Sequence, residues 1–404
     1  MCAGGVIKCP AVAPGASFPP GLEWPSLTDW LAVSRRHSDS LFSLLEQLVR
    51  TETPTSDKAG NDLAARLAGN EFARLGATVV FDPQANFGDH IVASWPGAGP
   101  HVLTIGHLDT VWPLGTLARM GYTERAGRIY GPGVLDMKGG VAATVIALRM
   151  LRDEGKWPAR PVRALLNTDE ERGSPSSRPL IESEARGASH VIVTEPGHGP
   201  KGAIKTRRKG LGEFKLTITG RAAHAGVAPE KGISAVHEMA HQILRIQALA
   251  DPPNGSSVNV GLVSGGSARN TVPAHAHAII DVRAPDRERC ARLEEALRSL
   301  TPAIKGARLT VEGGFHRPPL ERTPEIVALV DRVLGIARDM GVTLTEDQTL
   351  FGGGSDANLT AAMGVPTIDG LGAIGEHPHA EGENIHAGEL INRTALLARA
   401  LAEL

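Results

Sequence analysis

Apolar positions recur at helical spacing over residues 37–50 (HSDSLFSLLEQLVR), and a second helix is predicted over 59–75, where Leu75-Gly76 supplies a glycine stop. The pattern then changes. Short apolar runs of strand length follow at 78–81 (TVVF), 90–94 (HIVAS), 101–106 (HVLTIG), 162–167 (VRALLN) and 190–194 (HVIVT), with an Ala-rich helix predicted among them at 139–152. Such alternation predicts an α/β unit whose mostly parallel sheet is buried on both faces.

From Gly210 the order becomes strand (210–220), helix (234–249), strand (258–264), strand (275–284), helix (287–300) and strand (307–312). This is the β-α-β-β-α-β order of a ferredoxin-like module. After Gly313-Gly314 the first pattern resumes, with a helix at 324–339, a glycine-rich turn at 352–354, an apolar run at 365–368 and a last helix at 388–402. A small module is therefore expected to be inserted into a larger one. The predicted division is an N-terminal arm over 1–30, a larger domain over 31–205 and 315–404, and an inserted domain over 206–314.

Length agrees with two units, since 404 residues exceed what one hydrophobic core supports. A formal net charge of −2 and 42% hydrophobic residues fit an ordinary soluble globular chain, with no nucleic-acid or membrane partner expected. Cys2, Cys9 and Cys290 are too scattered for a disulfide framework or a Cys-x-x-Cys metal site, so a cytoplasmic home is expected. The arm lacks the apolar stretch of a secretory signal, and export through a degenerate signal is the alternative.

In open α/β sheets ligands gather beyond the carboxyl ends of strands. HVLTIG leads into His107-Leu108-Asp109, VRALLN into Asp169-Glu170-Glu171, and HVIVT into Glu195. Asp136 lies in the turn GPGVLD, and the apolar run at 365–368 precedes a loop with His377, His379 and Glu383. So many carboxylates converging on one sheet edge would repel without compensation, which makes cations the expectation. In extended chain, side chains at i and i+2 share a face, so Asp109 can stand behind His107 and accept its second ring N–H. Glu170 and Glu171 are neighbours in a tight turn, so one can bind a metal while the other addresses a water.

The segments GHLDTVWPLGT, GPGVLDMKGG, NTDEERGS, TEPG, GRAAHAG, NTVP, DVR and GGGSDA occur in this order from about residue 40 onward. In that combination the chain resembles the family of glutamate carboxypeptidases, acetylornithine deacetylases and succinyl-diaminopimelate desuccinylases, and it is most similar to the folate-cleaving glutamate carboxypeptidase branch. The resemblance implies two zinc ions per chain, with cobalt or manganese as alternatives. His107 and Glu195 would hold one ion, His379 and Glu171 the other, and Asp136 would bridge them. Glu170 would be the general base and Asp109 the partner of His107. His377 is the rival of His379. A cis peptide at Asp136–Met137 is also implied.

The same resemblance implies a homodimer in which His224, from the inserted domain, stabilises the oxyanion in the partner's site. The substrate would be a small molecule or short peptide with a free carboxylate, losing a C-terminal amino acid, glutamate foremost. Deacylation of N-acyl amino acids and dipeptide cleavage are the alternatives. Asn270, Arg283 and Arg317 are candidates to grip the carboxylate, the arginines through a bidentate fork. Gly353 and Ser355, in the GGGSDA turn, would help through backbone N–H groups. The basic run Lys205 to Lys209 reads as a solvated strand entry. The loops before Gly210 and around Arg317 depart from the branch pattern.

Overall fold

The computed structural model describes residues 28–404, so the predicted arm lies, up to residue 27, outside the described residues. Leu41, Leu44, Leu45 and Leu48 form one buried face of the helix Ser38–Arg50. The helix Lys58–Arg74 starts at Asp57, whose carboxylate accepts the Gly60 N–H. These helices, with Gly139–Asp153 and Ala387–Glu403, cover an eight-stranded sheet and share its hydrophobic core. Its strand order is Thr78–Asp82, His90–Trp95, Val162–Asn167, His101–His107, Ala188–Val193, Thr367–Asp369, Ile204–Lys205 and Glu346–Asp347.

The centre of the sheet is parallel, as the unbroken apolar runs predict, and its first edge is antiparallel. The short connection between Asp82 and His90 permits a hairpin and no crossover helix, which fixes that sense. Three parallel strands, His101–His107, Val162–Asn167 and Ala188–Val193, end on one edge. They deliver His107, the 169–171 turn and Glu195 to the same place.

The second sheet is four-stranded and antiparallel, in the order Ser257–Gly265, His275–Ala284, Gly210–Thr219, Arg308–Arg317. Phe214, Leu216, Ile218, Ala276, Ala278, Ile280 and Val282 alternate along its central strands and form a separate core with helices Ala235–Gln247 and Arg287–Arg298. The last strand runs to Arg317, past the expected end at 312. Gly313 reads as a break in sequence, but at φ 100 it stays paired, and a Cβ there would clash with the Glu213 carbonyl.

The apolar pattern does not predict the short helices Trp30–Arg36, Thr116–Met120 and Arg178–Ala185. Nor does it predict the third sheet, of strands Gly375–Glu376, Asn384–His386, Arg128–Tyr130 and Thr123–Arg125. Segments this short carry too few positions for a period to register. No helix among the described residues is long and apolar enough to cross a membrane.

Candidate metal centre

His107 closes its strand fully buried. Its Nδ1 is 2.9 Å from the Asp109 main-chain oxygen and 3.5 Å from the Asp109 carboxylate. A carbonyl oxygen only accepts, so Nδ1 carries a proton, and Nε2 is the nitrogen turned to Asp136. The expected Asp109 contact is thus made chiefly by the backbone. The Asp109 carboxylate instead accepts the Thr55 hydroxyl at 2.7 Å and the N–H groups of Glu170 and Glu171 at 3.2 Å each. It ties the strand end bearing His107 to the turn bearing both glutamates.

Asp136 lies between two imidazoles. Oδ1 is 3.2 Å from His107 Nε2, and Oδ2 is 3.2 Å from His379 Nε2. The Asp136–Met137 peptide is cis. Beyond His107, Glu195 Oε1 stands 3.8 Å from Nε2, and beside His379, Glu171 Oε1 stands 3.3 Å from its Nε2. That Glu171 oxygen is buried and makes no well-oriented hydrogen bond. His377 and His379 both adopt left-handed φ, 63 and 59, a region uncommon outside glycine, and it is His379 that meets Asp136 and Glu171.

These donors fit divalent cations. Two ligands on one tetrahedral ion at about 2.0–2.1 Å are separated by about 3.3 Å, close to the spacings around Asp136. The electrostatics agree. Burial pushes Glu195 up to about 7, with Asp136 adding to it, and burial also lifts Glu171. Contacts with Asp136 and Glu171 raise His379 to about 11. Burial would push Asp136 upward, yet His107 and His379 hold it well below the carboxylate range. The carboxylates draw protons onto the imidazoles because the cluster carries excess negative charge, which divalent cations would neutralise.

Glu170 is in the same cluster, within ligand reach of His107 and Glu195. Its Oε1, however, accepts from Arg317 Nη2 at 2.8 Å. Burial pushes its carboxyl well above the ordinary range, and Arg317 and His107 pull it back in part. Arg317 also contacts the Glu170 carbonyl and Ser174 at 3.0 Å, and Asp356 at 3.0 Å. Arg317 is 2% exposed, and its two Nη groups brace the glutamate turn and Asp356, where the sequence expected a substrate contact.

A cleft of about 630 Å³ opens over the cluster, lined by Asp136, Glu170, Glu171, Glu195 and His379 from one side and Glu213, Asp281, Arg283 and Gly353 from the other. Arg283 is oriented by Asp281 and by the Gly352 carbonyl. Ser355 departs from expectation: it is fully buried, with its hydroxyl on Asp369 and its N–H on Asn358, so it offers nothing to a ligand. His224 and Asn270 do not line the cleft. They are exposed on the small domain, joined by an Ala225 N–H to Asn270 O bond of 2.9 Å.

The run Lys205–Lys209 is not a solvated strand entry throughout. Lys205 and Arg208 are buried against Asp369, and Arg208 donates to the Gly353 and Gly354 carbonyls at 2.9 and 3.2 Å. Arg208, paired with Asp369, thus holds the Gly353-Gly354 backbone that lines the cleft, a role its sequence neighbourhood does not show. Removing one member of a buried ion pair strands the other. Arg208→Met is expected to destabilise the protein by about 3–5 kcal/mol in urea unfolding. A loss under about 1 kcal/mol would show that Asp369 is satisfied without it.

The chain matches the family model described as peptidase family M20/M25/M40 over residues 103–403. It is 32% identical to carboxypeptidase G2 of Pseudomonas sp. (strain RS-16) over 90% of this chain and 89% of that protein. Among solved structures, aminopeptidase PepT from Bacillus cereus superposes with a TM-score of 0.73 at 24% identity, covering 91% of this chain and 98% of the other. The YXEP protein of Bacillus subtilis, described as a dinuclear metal binding peptidase, gives 0.67 at 15% identity over 91% and 98%.

Proposed function

Because this chain belongs to the peptidase family M20/M25/M40, a family of metallopeptidases acting on peptide bonds, we propose that it is a two-metal, zinc-dependent hydrolase that removes a C-terminal amino acid, glutamate foremost, from peptide or N-acyl substrates. The observation that carries the reading is Asp136, with one oxygen 3.2 Å from each of two imidazole nitrogens and a glutamate beside each imidazole. His107 and Glu195 would hold one ion, His379 and Glu171 the other, and Asp136 both. Imidazole with carboxylate suits zinc, and cobalt or manganese can take the same donors.

Bound divalent ions would supply Lewis acidity, polarising the scissile carbonyl and acidifying the attacking water. Glu170 would take the proton of that water and return it to the leaving amine. The choice of Glu170 over Glu171 rests on their partners: Arg317 already occupies Glu170 Oε1, whereas Glu171 Oε1 has no hydrogen bond. Arg283 and the backbone around Gly353 would receive the substrate carboxylate at the far wall of the cleft.

Residues 206–314 would act as a dimerisation and lid unit. The edge strand Ser257–Gly265 leaves Leu262 and Val263 exposed, an unpaired edge suited to a second copy. A homodimer would let His224 and Asn270 complete the partner's cleft. The cytoplasm is proposed as the compartment, since Cys290 is a free buried thiol.

Elemental analysis should find about two divalent ions per chain, and chelation should abolish turnover and lower the Tm, because the clustered carboxylates lose their counter-charge. A metal-free protein with chelator-insensitive activity would end the two-metal reading. N-acyl-glutamates and folate-like substrates should be cleaved faster than N-acetylated basic amino acids. The reverse preference would move the assignment to a deacylase.

A further inference from the structure

The carboxylate of Glu383 is fully buried, and both of its oxygens are occupied. Oε1 accepts the N–H groups of Leu135 at 2.9 Å and Asp136 at 3.1 Å, while Oε2 accepts the N–H of Gly133 at 2.8 Å and the indole N–H of Trp112 at 2.7 Å. Every donor is an N–H, and each oxygen receives two.

The donors come from separate segments. Trp112 follows the strand end that carries His107 and Asp109, and Gly133 to Asp136 form the turn that presents Asp136. Glu383 itself closes the loop that holds His379 in its left-handed conformation. The Glu383 carbonyl also accepts from Gly131 at 3.2 Å.

We infer that Glu383 is a positioning residue for the metal centre: one carboxylate fixes the His107, Asp136 and His379 segments relative to one another. The inference rests on the two-metal reading above. A helix cap or loop closure needs one or two acceptor contacts, whereas this side chain collects donors from two other ligand-bearing segments. Partners of this kind commonly affect metal affinity by 10- to 100-fold.

Glutamine is the informative replacement, because it keeps the shape but turns one acceptor into an NH₂ group facing N–H donors. Zinc titrated calorimetrically into metal-free Glu383→Gln should bind about 10- to 100-fold more weakly than in the wild type, with kcat falling more than KM rises. The cobalt-substituted variant should show an altered visible absorption spectrum. Trp112→Phe, which removes one donor and leaves Glu383 in place, should weaken zinc in the same direction by a smaller factor.

Where Glu383→Gln does not fold, Trp112→Phe decides. Wild-type zinc affinity and cobalt spectrum in the folded variants, whatever their thermal stability, overturn the positioning role. A wild-type protein that takes up no zinc overturns the two-metal reading, and this inference with it.

Discussion

Glu170→Gln is expected to keep both divalent ions and to lose about 10²- to 10⁴-fold or more in kcat, as removal of a general acid–base group typically does. The glutamine retains the size of the side chain and can still accept the Arg317 hydrogen bond that now ends on Oε1 at 2.8 Å. It cannot take a proton from water. Glu171→Gln should behave differently, weakening one metal site, because Glu171 Oε1 faces His379 Nε2 at 3.3 Å with no other partner. Metal content and kcat measured on both variants separate base from ligand. Near-normal turnover in Glu170→Gln would move the base elsewhere, and metal loss from it would make Glu170 a ligand, as its reach to His107 and Glu195 permits.

Arg317 gives Glu170 a second dependence. The arginine ends the strand Arg308–Arg317 of the small sheet, and its guanidinium reaches the glutamate turn and Asp356. The strand through which the chain leaves the small sheet is thereby fastened to the residue proposed as base. Movement of that sheet would be felt at Glu170 directly.

Much of this was legible in sequence, for a physical reason. Buried parallel strands read as unbroken apolar runs, so their carboxyl ends are visible, and the residues just beyond them are the ones the fold brings together. His107, Glu171 and Glu195 stand just beyond such runs, whereas Asp136 and His379 lie in turns and are singled out as ligands by the resemblance to the family. What stayed hidden depends on pairs that no local spacing connects. Arg208 and Asp369 are 161 residues apart, and Arg317 and Glu170 are 147 apart. A run such as KTRRK reads as solvated until a distant Asp369 is packed against it. Arg317 likewise looked free to bind substrate, because nothing near it in sequence shows that Glu170 and Asp356 already occupy it. Glu383 reads in sequence only as one more loop carboxylate, since its donors, three of them backbone N–H groups, have no side-chain signature.

His224→Ala is expected to lower kcat by about 100- to 1,000-fold, as loss of one oxyanion donor typically does, with little change in KM or metal content. The histidine is built for donation. Its Nδ1 accepts the Gly226 N–H at 3.1 Å, so the neutral ring carries its proton on Nε2, outward from an exposed turn. It does not line the cleft of its own chain, so a role at the reacting carbonyl calls for a second copy. Mixing inactive His224→Ala chains with inactive Glu170→Gln chains tests this. If His224 acts across the dimer, one site of each hybrid joins Glu170 from the first chain with His224 from the second, and activity should return on subunit exchange. The other site carries both defects and stays silent. Hybrids that remain inactive despite demonstrated exchange would refute action in trans, and a fully active His224→Ala protein would leave the residue as an ordinary surface-turn histidine.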